Sequence, residues 1–285
     1  MIIDKSDQRE LILKELNSLR GLAYVSAQYL DFRIALFRAQ LEAFDSIQLD
    51  SSLPDLPLQA SSLSISSALL STLLIKTIKF LDEESQASSD LIKLAKAPDR
   101  LLELVKCAAF EADLEALNNF SRSTGILPEA LFFFGRAIIA PYLRKLILSI
   151  ENTENINLAN TETCPYCGSK PGLSLIKRPN GKRRLVCPLC GMDWEFSRLT
   201  CPFCGSENSL EILKIAPDEE CAEQESDLRW IEACSSCRHY LKTTDERRLG
   251  GGEAIPLKEA VAGLYLEFIA QKNGYLSGLP YVAMR

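Results

Sequence analysis

The chain has 285 residues, 47% hydrophobic and 25% charged, with a formal net charge of −6. Hydrophobic content this high excludes a disordered chain, and 14 Gly and 13 Pro are too few for a fibrous or low-complexity one. The acidic balance, 32 basic against 38 acidic residues, excludes a protein that coats nucleic acid, and the single histidine, His239, excludes His-rich metal centres.

The opening stretch, Met1 to Leu16, is charged throughout and lacks the apolar centre of a signal peptide. The expected compartment is therefore the cytoplasm, where thiols are kept reduced. Leu22 to Phe44 carries Leu22, Val25, Tyr29, Phe32, Leu36 and Leu41 at helical steps, which predicts a helix. Leu56 to Ile75 is the longest uncharged run, but its six serines and Pro57 make it a poor membrane span. It reads as a linker entering a buried helix over Ser67 to Leu81. Leu91 to Phe120 predicts one or two further helices, with Pro98-Asp99 as an entry point. Leu127-Pro128-Glu129 opens another that reaches about Ile150 and is expected to bend at Pro141. Four to six packed helices follow, ending at the polar linker Glu151 to Glu162.

Beyond that linker the period changes to two. Leu173 to Lys177 and Arg183 to Cys187 read as strands flanking the turn signal Asn180-Gly181. Trp194 to Leu199, Leu210 to Ile215, Leu228 to Glu232 and Tyr240 to Thr244 are further strand candidates. Leu257 to Lys272 returns to helical spacing and is expected to pack back on the body.

Nine of the 10 cysteines fall in this second half, eight of them as Cys-x-x-Cys pairs: Cys164/Cys167, Cys187/Cys190, Cys201/Cys204 and Cys234/Cys237. In a reducing compartment such pairs point to metal before disulfide. One tight turn supplies two thiolates, and a hairpin is the simplest way to bring a second turn opposite the first. The expected quartets are thus Cys164, Cys167, Cys187 and Cys190, and Cys201, Cys204, Cys234 and Cys237. An interleaved arrangement, with the first and third pairs sharing an ion, stays open on spacing alone. Gly168, Gly191 and Gly205 each follow a pair, where a knuckle favours positive φ. The fourth pair, Cys234-Ser-Ser-Cys237-Arg238, lacks that glycine and is expected to be looser and more exposed.

Other chemistries fit the pairs less well. Thioredoxin-like redox work needs one pair at a helix start. Haem attachment fails because Arg238 separates Cys237 from His239. Iron–sulfur clusters share the four-cysteine ligation, and ligand identity does not separate zinc from a single rubredoxin-type iron. Closed four-sulfur sites argue against Lewis-acid hydrolysis, which wants an open position. His239 reads as a bystander to a knuckle, Cys221 sits in an acidic loop that disfavours its thiolate, and Cys107 reads as core. Phosphate-binding and nucleophile-elbow motifs are missing from the sequence.

Residues 164–204 carry seven basic and two acidic side chains, and residues 205–245 four and ten. This polarity suggests a bipolar docking surface. It also suggests a nucleic-acid contact by the hairpin Lys177 to Arg184, with Trp194 and Phe196 near enough to stack bases.

At these residues the chain resembles the bacterial formate dehydrogenase accessory protein family, the FdhE type. The similarity lies in Cys164-Pro-Tyr-Cys-Gly-Ser-Lys-Pro171, Arg183-Arg-Leu-Val-Cys-Pro-Leu-Cys190, Trp194 and Arg198 before Cys201-x-x-Cys204, Cys234-x-x-Cys237 before Tyr240-Leu-Lys242, and Glu259-Ala-Val-Ala through Gly274-Tyr275. It covers roughly residues 160–275; the helical half and the ending Leu276 to Arg285 depart from the family pattern. The resemblance implies a helical domain joined to two rubredoxin-like modules, iron held by the eight paired cysteines, and a cytoplasmic, non-catalytic factor that serves the formate dehydrogenase catalytic subunit.

The expected fold is α+β: an α-helical domain over 1–152, a four-cysteine module over 163–200, a second over 201–247, and a C-terminal helix over 255–274. Two ions, iron or zinc, are expected, with no catalytic residue and no membrane association. A zinc-ribbon nucleic-acid-binding regulator is the alternative function, although nucleic acid is disfavoured by the charge, and a rubredoxin-type electron carrier is the second alternative.

Overall fold

The computed structural model of the chain describes residues 6–49, 55–62, 65–79, 81, 86–151, 160–214 and 227–279. The chain divides into two compact units, one of Phe32–Ile156 with Tyr166–Ser169, the other of Met1–Asp31, Asn157–Pro165 and Lys170–Arg285.

The first unit is helical. It contains most of α2 (Ala27–Ser46), then α3 (Ser67–Ile78), α4 (Gln86–Ala95), α5 (Pro98–Lys106), a π-turn (Cys107–Glu111), α6 (Leu114–Thr124) and α7 (Pro128–Glu151). Local chemistry fixes the ends. Ser66 and Asp113 cap α3 and α6 by accepting from the N–H groups of Leu69 and Ala116, and α5 starts on Pro98. The buried stripes, among them Leu70, Leu73, Leu74, Leu101, Leu104, Leu117, Ile138 and Leu143, form the core.

Stretch 91–120 yields more pieces than expected, because Pro98 opens a new helix and Ala112, at φ 48, ends the π-turn. The helix expected from Leu22 starts at Ala27 instead. α7 continues through Pro141 as one helix. Proline lacks the N–H that would bond the Ala137 carbonyl, and Gln40 Nε2 of α2 donates to that carbonyl at 3.0 Å.

The second unit is built on one sheet. Its strands are β1 (Leu173–Ile176), β2 (Arg183–Val186), β3 (Asp193–Glu195), β4 (Leu210–Leu213), β5 (Arg229–Cys234), β6 (His239–Asp245) and β7 (Leu276–Ser277). The order is β3-β2-β1-β6-β5-β4, with β7 also paired to β6. The hairpin β1–β2 is antiparallel, Leu173 opposite Val186, and its turn carries Gly181 at φ +70. Hairpin β5–β6 is antiparallel as well, Trp230 opposite Thr243. A parallel pairing of β1 with β6, Ser174 opposite Thr243, fuses the two cysteine modules into a single sheet. Parallel pairing of distant strands leaves no local sequence signal, so this join between the two modules is not legible in the sequence.

The helix expected over 257–272 is two, α8 (Pro256–Ala262) and α9 (Leu264–Lys272), divided at Gly263. Leu266 and Ala270 of α9 and Tyr275 pack on Ile231, Ala233 and Tyr240 of β5 and β6, so this end of the chain does pack back on the sheet. α1 (Ser6–Asn17), which the charged opening concealed, also belongs to this unit: Lys258 Nζ of α8 lies 2.6 Å from Glu15 Oε2. Residues 152–159 of the expected linker and the loop holding Cys221 lie outside the described residues, while Asn160 donates its N–H to the Glu195 carbonyl at 2.9 Å. Among the described residues no single helix is long and apolar enough to cross a membrane.

Candidate metal centres

Each Cys-x-x-Cys pair sits where a strand begins or ends. The first pair leads into β1 and the second directly follows β2, so both lie at one end of that hairpin. The third follows β3, and the fourth forms the tip between β5 and β6. The knuckles share a geometry. The N–H of Gly191, Gly205 and Arg238 each donates to the carbonyl of the first cysteine of its pair at 3.0 Å. The residue after each pair has positive φ: Gly168 +72°, Gly191 +78°, Gly205 +70° and Arg238 +61°. At Arg238 a side chain occupies a conformation that costs glycine nothing.

The turns bring the sulfurs together in two groups, Cys164, Cys167, Cys187 and Cys190, and Cys201, Cys204, Cys234 and Cys237, with the ligand atoms of each group within 4.8 Å of one another. Pairs one and two therefore face each other, as do three and four; the interleaved pairing is not seen. Sulfur separations are 3.6 Å for Cys164–Cys190, 3.8 Å for Cys201–Cys237 and 3.8 Å for Cys204–Cys234. Four thiolates about 2.3 Å from a tetrahedral centre are about 3.8 Å apart, so the donor set fits one four-coordinate ion per quartet. Backbone N–H groups also converge on sulfur: Leu189 and Cys190 on Cys187, and Phe203 on Cys201, each at 3.4 Å. Such donors favour the thiolate.

The thiols of the second quartet are driven apart in acidity. Burial raises Cys234, but the Ser209 hydroxyl 3.2 Å from its sulfur and the surrounding donors outweigh this and bring it down to about 6. Cys201 and Cys237 are pushed up, chiefly by burial. Like charges this close do not all ionise unaided. A cation at the centre removes that conflict and lets all four act as thiolates.

The basic hairpin takes a different role from the one its charge suggested. Lys177 pairs with Glu246 at 2.5 Å, Lys182 with Glu195 at 2.8 Å, and Arg184 with Asp193. Arg178 donates to the carbonyls of Glu246 and Leu249 at 2.6 and 2.7 Å. Arg183, its side chain fully buried, pairs with Glu232 of β5. The cations of the first module are thus largely matched inside the unit, partly by acids of the second. Trp194 is 1% exposed and Phe196 is buried, so neither ring is free to stack on a base. His239 packs its ring 5.5 Å from Phe203 and belongs to neither quartet. Cys107 is buried in the π-turn, where burial pushes its thiol up to about 11. Residue patterns alone gave no hint of the structural parts of Arg183, Ser209 and Arg238; a lone serine or arginine beside a knuckle carries no periodic signal.

Residues 163–198 match the family model described as "FdhE, central domain". The chain is similar to the FdhE proteins. It is 30% identical over 158 residues to the FdhE homolog of Pseudomonas aeruginosa, covering 54% of this chain and 50% of that protein. Identity to the FdhE homolog of Aquifex aeolicus is 34% over 116 residues, 40% of this chain and 38% of the relative. These matches span about half or less of the relatives' length. Against the FdhE homolog of Actinobacillus pleuropneumoniae, identity is 24% over 96% of this chain and 89% of the relative. The crystal structure of the FdhE protein from Pseudomonas aeruginosa has the same fold, with a TM-score of 0.69 at 21% identity, covering 96% of this chain and 93% of that one. The family resemblance read from the cysteine motifs, and the α+β class, are borne out.

Proposed function

We propose that this chain is a non-catalytic accessory factor for formate dehydrogenase that binds the catalytic subunit and carries one iron or zinc ion in each cysteine quartet. The observation that carries the reading is the pair of sulfur quartets at tetrahedral spacing in a chain similar to the FdhE proteins. Cys164, Cys167, Cys187 and Cys190 hold one ion, and Cys201, Cys204, Cys234 and Cys237 the other. Each bound ion supplies a cross-link between two knuckles at the ends of short strands. Four protein ligands fill a tetrahedron, which leaves no open position for a substrate and supports a non-catalytic role. The regulator reading loses its main support, because the cations of the 177–184 hairpin are engaged with the chain's own carboxylates and carbonyls.

The test is affinity capture from native extract under anaerobic conditions. Enrichment of the formate dehydrogenase catalytic subunit over a tagged control is the expected result; no enrichment contradicts the accessory role. Elemental analysis with an absorption spectrum of the same preparation assigns the metal.

A further inference from the structure

The two quartets are enclosed differently. All four cysteines of the first are buried, none more than 2% exposed, and Tyr166 and Leu189, which lie inside its two turns, are buried too. In the second, Cys201 and Cys234 are buried, Cys237 is half-buried and Cys204 is exposed. Its rim is polar: Ser206 of one knuckle and Ser236 of the other meet at 3.2 Å.

A second observation concerns residues 273–278, which run against both knuckles of that quartet. Arg238, on the fourth knuckle, lays its guanidinium 3.9 Å from the Tyr275 ring centre and donates to the Asn273 carbonyl at 3.0 Å. Its own carbonyl accepts the Leu276 N–H at 2.8 Å. On the third knuckle, Phe203 lies so close to Gly278 that a Cβ there would come within 1.9 Å of the ring. This end of the chain therefore presses on the third knuckle and is tied to the fourth by Arg238. The same contact explains why an arginine stands where the other knuckles have glycine.

We propose that the second quartet is the exchange-competent metal site, reached by an incoming soft ligand such as a thiol through Cys204 and Cys237, with residues 273–278 as a strap that restrains it. The first quartet is the fixed site. The inference rests on the reading that both quartets hold metal. Exchange here is substitution: the incoming thiol gives its proton to solvent as its sulfur bonds to the ion, and the Cys204 sulfur leaves and takes a proton from solvent, with no change of oxidation state. A ligand atom at the surface meets a competitor without prior opening of the fold, whereas a buried one requires local unfolding first.

The experiment uses the full chain loaded with zinc alone and mixed with excess chromogenic zinc chelator. Two phases of equal amplitude are expected, differing about tenfold or more in rate. Cys204→Ser abolishes the slower-than-mixing fast phase and leaves the slow one; Cys187→Ser does the reverse. Arg238→Gly keeps the positive φ without strain and removes the tie, so it speeds the fast phase several-fold and leaves the slow one alone. On the unaltered zinc-loaded chain, iodoacetamide followed by peptide mass spectrometry is expected to label Cys204 and Cys237 ahead of the other six quartet cysteines, a readout that needs no variant to fold. Release in one phase, loss of the fast phase in Cys187→Ser, or first labelling within the Cys164 quartet overturns the inference while leaving the metal reading intact. An unchanged Arg238→Gly overturns the strap. A chain that takes up no zinc or iron overturns the underlying reading itself.

Discussion

Arg183 of β2 and Glu232 of β5 are bonded to each other with both side chains buried, although β1 and β6 lie between their strands. The guanidinium also donates to Ser174 Oγ at 3.1 Å and to the carbonyls of Ser197 and Thr200 at 3.0 Å. Thr200 immediately precedes Cys201, so one side chain ties the first hairpin, the second hairpin and the entry to the second quartet. Burial pushes Glu232 upward against the pull of Arg183, which makes this pair costly to break.

Arg183→Met is accordingly expected to destabilise the metal-replete chain by about 3–5 kcal/mol, since it strands a buried carboxylate. The double variant Arg183→Met, Glu232→Leu recovers much of that loss. Denaturant unfolding of the set checks this. Equal stability of the single variant and the parent would mean the pair is not buried as described.

Gln40 supplies the donor that Pro141 withholds from the Ala137 carbonyl. Gln40→Ala should cost about 1 kcal/mol, the penalty of an unpaired buried acceptor. Restoring the helical N–H with Pro141→Ala should shrink that cost. The coupling in a double-mutant cycle is the measurement, and strict additivity would contradict the assignment.

Acid should weaken the hairpin lock at Glu246. Burial raises its carboxyl, but the Lys177 ammonium at 2.5 Å and the N–H of Ala254 at 3.1 Å win, holding it below its ordinary 4.5. A depressed carboxylate stabilises the fold fully above the unfolded value of 4.5 and loses that contribution as pH falls through the lower folded value. Glu246→Gln should therefore be less stable than the parent by about 1–3 kcal/mol at neutral pH, with the gap closing on acidification below 4.5. A gap that stays constant with pH would refute the linkage.

Much of this was legible from residues. The knuckle glycines, the Asn180-Gly181 turn and the spacing of the pairs located the quartets and the hairpin around the first, because these are local rules of backbone conformation and ligand geometry. The helices announced by Pro98 and Pro128 start where proline places them. What stayed hidden was long-range. The β1–β6 pairing joins strands far apart in sequence, and the charge count could not tell that Lys177 and Arg183 face Glu246 and Glu232. α1 was hidden because its four apolar residues, of which Ile12 and Leu16 are the buried ones, stand among charges with no long periodic stripe.

Removal of metal should loosen the sheet unit where the quartets anchor it. Trp194 is buried and donates at 2.8 Å to the carbonyl of Thr161, three residues before Cys164, so its emission reports on the entry to the first quartet. Chelation is expected to red-shift the fluorescence and to leave most helical circular dichroism in place. Full retention of the native spectrum after stripping would contradict a stabilising role for the ions.

The most direct measurement is metal content per chain in quartet variants. The parent is expected to bind two ions. A variant with Ser at 164, 167, 187 and 190 should keep one ion, held by Cys201, Cys204, Cys234 and Cys237, and the complementary variant should also keep one. If removing either quartet empties the chain while both variants remain folded, or if the parent holds no metal, the account of two independent four-sulfur centres is contradicted.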